Sequence, residues 1–113
     1  MHEYSIVQAL LDRVDGEARA RGATAVHALS IRIGELSGVE VDLLATAYEM
    51  FRAHTICESA ALEIQAVPAQ WACGPCGAPI RRGAILRCPH CDAPATLVQG
   101  AEIMLDRIEM EVP

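Results

Sequence analysis

The 113-residue chain contains no lysine, only four aromatic residues, and no apolar run approaching the ~20 residues of a membrane span. Its nine basic residues are all arginine, set against fifteen acids for a formal charge of −6. Nucleic-acid surfaces displace phosphate counterions with a basic face and stack bases on aromatic rings, so an acidic, lysine-free, aromatic-poor chain is not built for that partner. The opening Met1-His2-Glu3-Tyr4-Ser5 also lacks the basic stretch and apolar run of a secretory signal. The expectation is a soluble, cytoplasmic protein that works away from membranes and nucleic acid. Few large side chains mean a modest core, and a chain this short buries only about two-thirds of its unfolded surface. A further stabiliser is expected.

What the chain does have is hydrophobic periodicity in its first half. Val7, Leu10, Leu11, Val14 and Ala18 recur at three- and four-residue steps, the stripe of an amphipathic helix from Tyr4 to about Arg21. Between Thr24 and Ile33, Leu29, Ile31 and Ile33 alternate with Ser30 and Arg32, as in a half-buried strand. Ser37-Gly38-Val39-Glu40 has the form of a capping box, which predicts a second helix with Leu43, Leu44, Ala47, Tyr48 and Phe51 as its core stripe. Residues 61–67 read as a strand that Pro68 stops, and residues 102–110 as another, with Arg107 breaking the alternation where a bulge would re-aim the chain. The predicted fold class is α+β: a small mixed sheet with two helices forms a body from residues 1–67 together with 97–113. A zinc-ribbon-like lobe, residues 68–96, is inserted between the last two body strands.

The inserted segment is rich in cysteine, glycine, proline and arginine and has almost no periodicity, so it has no means of building an apolar core. Four of the five cysteines lie in it. Cys73, Cys76, Cys88 and Cys91 form C-x2-C-x11-C-x2-C, and two intervening residues let both thiolates of a tight turn face one ion. Two facing knuckles make a tetrahedral four-sulfur site, closed to water and substrate and therefore structural. Zn2+ is the favoured occupant, and iron suits the same geometry. A dithiol redox pair would need a helix N-terminus and a thioredoxin-like context, which do not surround these motifs. Arg81, Arg82 and Arg87 lie between the knuckles, where they are expected to offset the negative charge of four thiolates around a divalent ion. His90 reads as a solvated loop residue, Cys57 as a buried thiol, and His27 and His54 as ordinary surface or core imidazoles.

His2 is the most unusual residue. A histidine directly after the initiator places the Met1 amine, the His2 amide and the imidazole in one short chelate, and such nitrogen donors suit a tetragonal or square-planar ion, Ni2+ or Cu2+ more than Zn2+. Glu3 could add a carboxylate or another backbone nitrogen. On the residues alone, a chance histidine at a frayed terminus is an equally good reading.

The opening Met1-His2-Glu3-Tyr4-Ser5-Ile6, the central Ile33-Gly34-Glu35-Leu36-Ser37-Gly38-Val39-Glu40, the segment Ala61-Leu62-Glu63-Ile64, the two cysteine knuckles and Gly100-Ala101-Glu102-Ile103 together resemble the HypA/HybF family of hydrogenase nickel-incorporation proteins. The resemblance spans essentially the whole chain. It implies a nickel metallochaperone that catalyses no bond chemistry, with Ni2+ as transient cargo and Zn2+ as a structural ion. By position it assigns nickel to His2, with the Met1 amine and Glu3 at the same end, and zinc to Cys73, Cys76, Cys88 and Cys91. Glu40 falls where some members carry an acid that supports the nickel site. The implied partners are the GTPase HypB and the [NiFe]-hydrogenase large subunit, with urease maturation proteins as a further client, and the chain is expected as a monomer or homodimer. The rival reading is a zinc-ribbon protein-interaction module without nickel function, which would need only the cysteines.

Overall fold

The computed structural model describes residues 2–113. Helix α1 (His2–Ala20) is followed by strand β1 (Ala25–Gly34), helix α2 (Val41–Phe51) and strand β2 (Ala61–Val67). Three short strands come next, β3 (Gln70–Cys73), β4 (Pro79–Ile80) and β5 (Ala95–Gln99), and β6 (Ile103–Glu111) closes the chain. The strands form two three-stranded sheets, β2-β1-β6 and β4-β3-β5. The first is mixed, β2 running parallel and β6 antiparallel to β1. The molecule is long, 56 × 29 × 17 Å, with a radius of gyration of 18.0 Å. A compact chain of this length would have a radius near ~13 Å, so the two sheets belong to two lobes set end to end.

The core lies in the larger lobe. Val7, Leu11, Val14 and Ala18 of α1 are buried against Val26, Leu29, Ile31 and Ile33 of β1 and Leu44, Ala47 and Tyr48 of α2. The α1 stripe is the one its periodicity predicts, apart from Leu10, which is only half-buried. Burial along β1 changes phase between Val26 and Leu29 because the register with β6 slips at His27. One extra residue in the strand turns the following side chains by half a period. A second slip, where Ser30 faces Arg107 and Ile31 faces Leu105, leaves Asp106 unpaired. This is the expected irregularity beside Arg107.

Two expectations need correction. The core stripe of α2 is Leu44, Ala47 and Tyr48, while Leu43 is 50% and Phe51 40% exposed. Phe51 packs instead edge-to-face against Tyr4 of α1, ring centroids 5.2 Å apart. The Ser37–Glu40 capping box does not form. Glu40 is itself the N-cap, its side chain makes no cap bond, and Ser37 Oγ accepts from the Val39 amide at 3.4 Å. In a capping box the glutamate satisfies the N-cap amide. Here the Glu40 amide donates to the Glu3 carboxylate of α1 at 3.3 Å, so a residue 37 positions away does the same work. The cysteine-rich segment forms its own small sheet, in which β5 pairs with β3 as far as Gln99.

The lobes meet where backbones cross closely. Gly34 donates to the Glu102 carbonyl, Leu36 to that of Gly100, and Glu35 to that of Val67, at 2.7–2.9 Å. Gly100 has φ +105°, and a Cβ there would stand 2.6 Å from Ala69 Cα. Only glycine fits both that conformation and that approach.

Candidate metal centre

The two knuckles are built alike. Gly77 donates to the Cys73 carbonyl and Cys73 to that of Ala78; fifteen residues later Asp92 donates to Cys88 and Cys88 to Ala93. Each turn closes through a residue in the left-handed region directly after its second cysteine, Gly77 at φ +73° and Asp92 at φ +54°. Glycine adopts that conformation freely, and aspartate is among the few other residues that tolerate it. Strand β3 delivers Cys73 to the first turn, and the isolated bridge of Arg87 to Pro94 closes the second.

The ligand atoms of Cys73, Cys76, Cys88 and Cys91 all lie within 4.8 Å of one another, with Cys76 Sγ 3.8 Å from Cys88 Sγ. Sulfurs at the corners of a tetrahedron with metal–sulfur bonds of about 2.3 Å stand ~3.8 Å apart, so the cluster has the dimensions of a four-thiolate site. Cys73 and Cys88 are buried and Cys76 and Cys91 exposed, which leaves the centre at the edge of the lobe. The backbone amides of Cys91 and His90 bring the Cys88 thiol down to about 7. The Cys76 and Cys73 sulfurs push Cys91 up to about 12. Without a cation these four groups resist ionising together, and a divalent ion removes the conflict. The donor set is therefore chemically suited to a metal, and its free thiols form no disulfide.

Two of the three arginines between the knuckles, Arg82 and Arg87, have partners other than the sulfurs. Arg82 forms a two-pronged ion pair with Glu35 of the body, and Arg87 bonds the Asp92 carbonyl and lies 3.5 Å from its carboxylate. Neither offsets the sulfurs by direct contact. A guanidinium prefers the fixed, paired oxygens of a carboxylate. Sequence reasoning did not anticipate Glu35, because its two partners, Ala69 and Arg82, lie 34 and 47 residues away. The Arg82 guanidinium and the Ala69 amide hold its carboxyl down at about 2.

His2 and Glu3 open α1, and the His2 side chain is exposed. The first four amides of a helix have no intrahelical acceptor, so the His2 and Glu3 nitrogens are free of helix bonding. The Glu3 carboxylate is occupied by its own amide and that of Glu40, which hold its pKa below the usual range. Met1 lies outside the described residues. Glu40 is therefore brought next to Glu3, while the four cysteines form a separate cluster in the other lobe. Cys57 is fully buried, whereas His27, His54 and His90 are exposed. His27 lies 3.5 Å from Glu111. No helix among the described residues is long and apolar enough to cross a membrane.

Comparison with known proteins places this arrangement in one family. Residues 1–110 match the sequence model described as HypA, hydrogenase/urease nickel incorporation, metallochaperone. The hydrogenase maturation factor HypA of Wolinella succinogenes is 40% identical over 114 residues, covering 98% of this chain and 96% of that protein. That of Nitrosospira multiformis is 38% identical over 112 residues, covering 97% of each. The solution structure of the Ni metallochaperone HypA from Helicobacter pylori superposes with a TM-score of 0.74 at 27% identity, over 98% of both chains. A second solution structure of a HypA protein gives 0.81 at 28% identity, over 100% of this chain and 98% of that one. The chain is α+β, with two helices, a small mixed sheet and a four-cysteine lobe, and it belongs to the HypA family of hydrogenase/urease nickel-incorporation metallochaperones.

Proposed function

We propose that this chain takes up Ni2+ at its amino end and delivers it for maturation of a [NiFe]-hydrogenase, while Zn2+ in the four-cysteine lobe serves structure alone. The observation that carries the reading is an exposed histidine at the second position, opening a helix in a chain matched from residue 1 by a nickel-incorporation family. The Met1 amine and the His2 amide and imidazole are the cargo ligands, with Glu3 at the same end. A bare dication is disfavoured at a helix N-terminus, so loss of amide protons, which cancels the charge of the ion, makes backbone nitrogens better suited than neutral donors there. The Glu3 carboxylate stays with the Glu40 amide and holds α1 against α2.

Four thiolates fill the coordination sphere of Zn2+ and leave no open position, so the zinc centre does no chemistry. Nickel moves by exchange of ligands, without a bond-making reaction on the protein, and the protein acts as a carrier and not an enzyme. Its partners are the GTPase HypB and the hydrogenase large subunit, met in the cytoplasm, with urease maturation proteins as a second class of client. The acidic surface suits basic patches on those partners and makes association salt-sensitive.

Nickel titration of the zinc-containing wild type against His2→Ala tests the reading, with zinc content measured in both. One tight Ni2+ in wild type, lost in His2→Ala with zinc retained, is the expected result. Equal nickel binding by both proteins overturns the amino-terminal site and favours a zinc-ribbon interaction module.

A further inference from the structure

Where the two lobes meet, an open groove of about 890 Å3 takes no part in the zinc or nickel chemistry. That volume lies within the range of ligand-binding clefts. Trp71 of β3 and Ile80 of β4 pair directly across their strands, and both line the groove. Leu36, Leu86 and Val98 add apolar surface that is 46–63% exposed. Contiguous apolar surface left in water marks a docking site more often than scattered exposed side chains do. The lining also carries two arginines, Arg81 and Arg82, and one acid, Glu35. The Glu35 oxygens are already taken by Arg82 and the Ala69 amide. Arg82 and Arg87 have carboxylate partners, whereas the exposed Arg81 forms no ion pair among the described residues. One uncompensated positive charge therefore stands beside an apolar surface, in a chain whose formal charge is −6.

We infer that this groove docks an extended segment of a partner protein, in which an aliphatic side chain meets Trp71 and Ile80 and a neighbouring Asp or Glu carboxylate pairs with Arg81. A guanidinium offers paired donors that match the two oxygens of a carboxylate, and tryptophan and arginine are the residue types that contribute most at protein interfaces. Charge complementarity selects the acidic occupant, because the one acid in the lining is already neutralised. A small molecule would be left largely uncovered in an open groove, whereas such ligands are usually buried over most of their surface. Two copies of a chain at −6 repel each other, which disfavours a second copy. Strand β4 has only two residues and opens with Pro79, which has no amide to donate, so recognition rests on side chains and not on extension of the sheet. None of the lining residues is a nickel or zinc ligand, so the inference stands apart from the nickel reading.

The test uses the full zinc-containing chain and the emission of Trp71, its only tryptophan. The probe is the acetylated, amidated peptide Gly-Leu-Asp-Leu-Glu-Gly, with Gly-Leu-Asn-Leu-Gln-Gly as its uncharged counterpart. The acidic peptide should shift Trp71 emission to the blue in a saturable way and bind roughly tenfold more tightly than the uncharged one. Arg81→Ala should abolish that preference. Arg13→Ala, which removes the same charge from the exposed side of α1, should keep it, and so should His2→Ala. Arg81 is exposed, so its variant should fold, which circular dichroism and zinc content check. No saturable shift with either peptide, equal binding of both by wild type, or a preference that survives Arg81→Ala overturns the proposal. So does a blue shift produced by raising the protein concentration alone, which would put a second copy in the groove.

Discussion

The carboxylate of Glu35, just past the end of β1, and the guanidinium of Arg82, between the two cysteine knuckles, join the lobes through a two-pronged ion pair. One arm, Arg82 Nη1 to Glu35 Oε1, measures 2.8 Å, and the same oxygen accepts the Ala69 amide at 2.9 Å. Besides this pair, the second lobe is joined to the body by the backbone passages at Pro68–Ala69 and Gly100–Ala101 and by the Leu36 amide, which donates to the Gly100 carbonyl, so the ion pair is the side-chain contact that can hold its angle to the body. Glu35→Gln or Arg82→Ala should leave helix content and metal content unchanged. Small-angle X-ray scattering should then report a radius of gyration departing from the 18.0 Å of the clasped form and a broader distance distribution. An unchanged scattering profile in both variants would show that the backbone passages suffice.

The same pair gives a pH dependence with a defined sign. Arg82 and the Ala69 amide lower the Glu35 carboxyl from 4.5 to about 2. A carboxylate with a depressed folded pKa contributes stability fully above its unfolded value and loses it as pH falls through the folded one. Lobe orientation should therefore hold above pH 5 and loosen progressively between about 4.5 and 2, whereas Glu35→Gln should be loose throughout. Scattering across that range separates the two proteins. High salt should loosen the wild type at neutral pH, because the pair is exposed.

Loss of the four-cysteine metal should unfold one lobe and spare the other. Trp71, the only tryptophan, lies in β3 two residues before Cys73, and both helices lie in the body. A strong chelator, or Cys73→Ser, should shift tryptophan emission to the red while far-ultraviolet circular dichroism keeps its helical signal. Loss of both signals together would mean that the body depends on the metal as well.

Adjacent leucines of α2 should respond very differently to truncation. Leu44 is fully buried among Val7, Val14 and Tyr48, and Leu44→Ala should cost about 2–5 kcal/mol in urea unfolding through lost burial and the cavity left behind. Leu43 is half exposed, and Leu43→Ala should cost less than about 1 kcal/mol. Similar costs at both positions would contradict the helix orientation.

Glycine is required at the crossing of the two lobes. A Cβ on Gly34 would collide with the Gly100 backbone, and one on Gly100 would meet Ala69 in a conformation that side chains rarely adopt. Neither obstacle is a flexible side chain. Gly34→Ala and Gly100→Ala should each lower thermal stability sharply, while Gly16→Ala, in open space on α1, should leave it level or raise it. A tolerated Gly100→Ala would mean that the crossing relaxes.

Much of this architecture can be read along the chain. The stripe Val7, Leu11, Val14, Ala18 needs only a helical period of 3.6 residues, and the four cysteines declare their site because each knuckle is a local turn closed by bonds four and five residues apart. The family was visible for the same reason, since its motifs are contiguous. The short strands β3, β4 and β5 were not visible. Two to five residues are too few to show a period, and the branched run Thr96-Leu97-Val98 was the one local hint of a strand.

The sequence by itself determined two helices, the main strands, a four-thiolate site and a histidine at the second position, because each depends on neighbours within a few residues. The tertiary structure decided which carboxylate serves which amide. Glu3 serves the helix end that Ser37 and Glu40 were expected to serve between themselves, and Arg82 turns from the sulfurs to Glu35. It also decided which leucine of α2 is buried. Those outcomes depend on which distant segment arrives at a given surface, and no periodicity along the chain encodes that meeting.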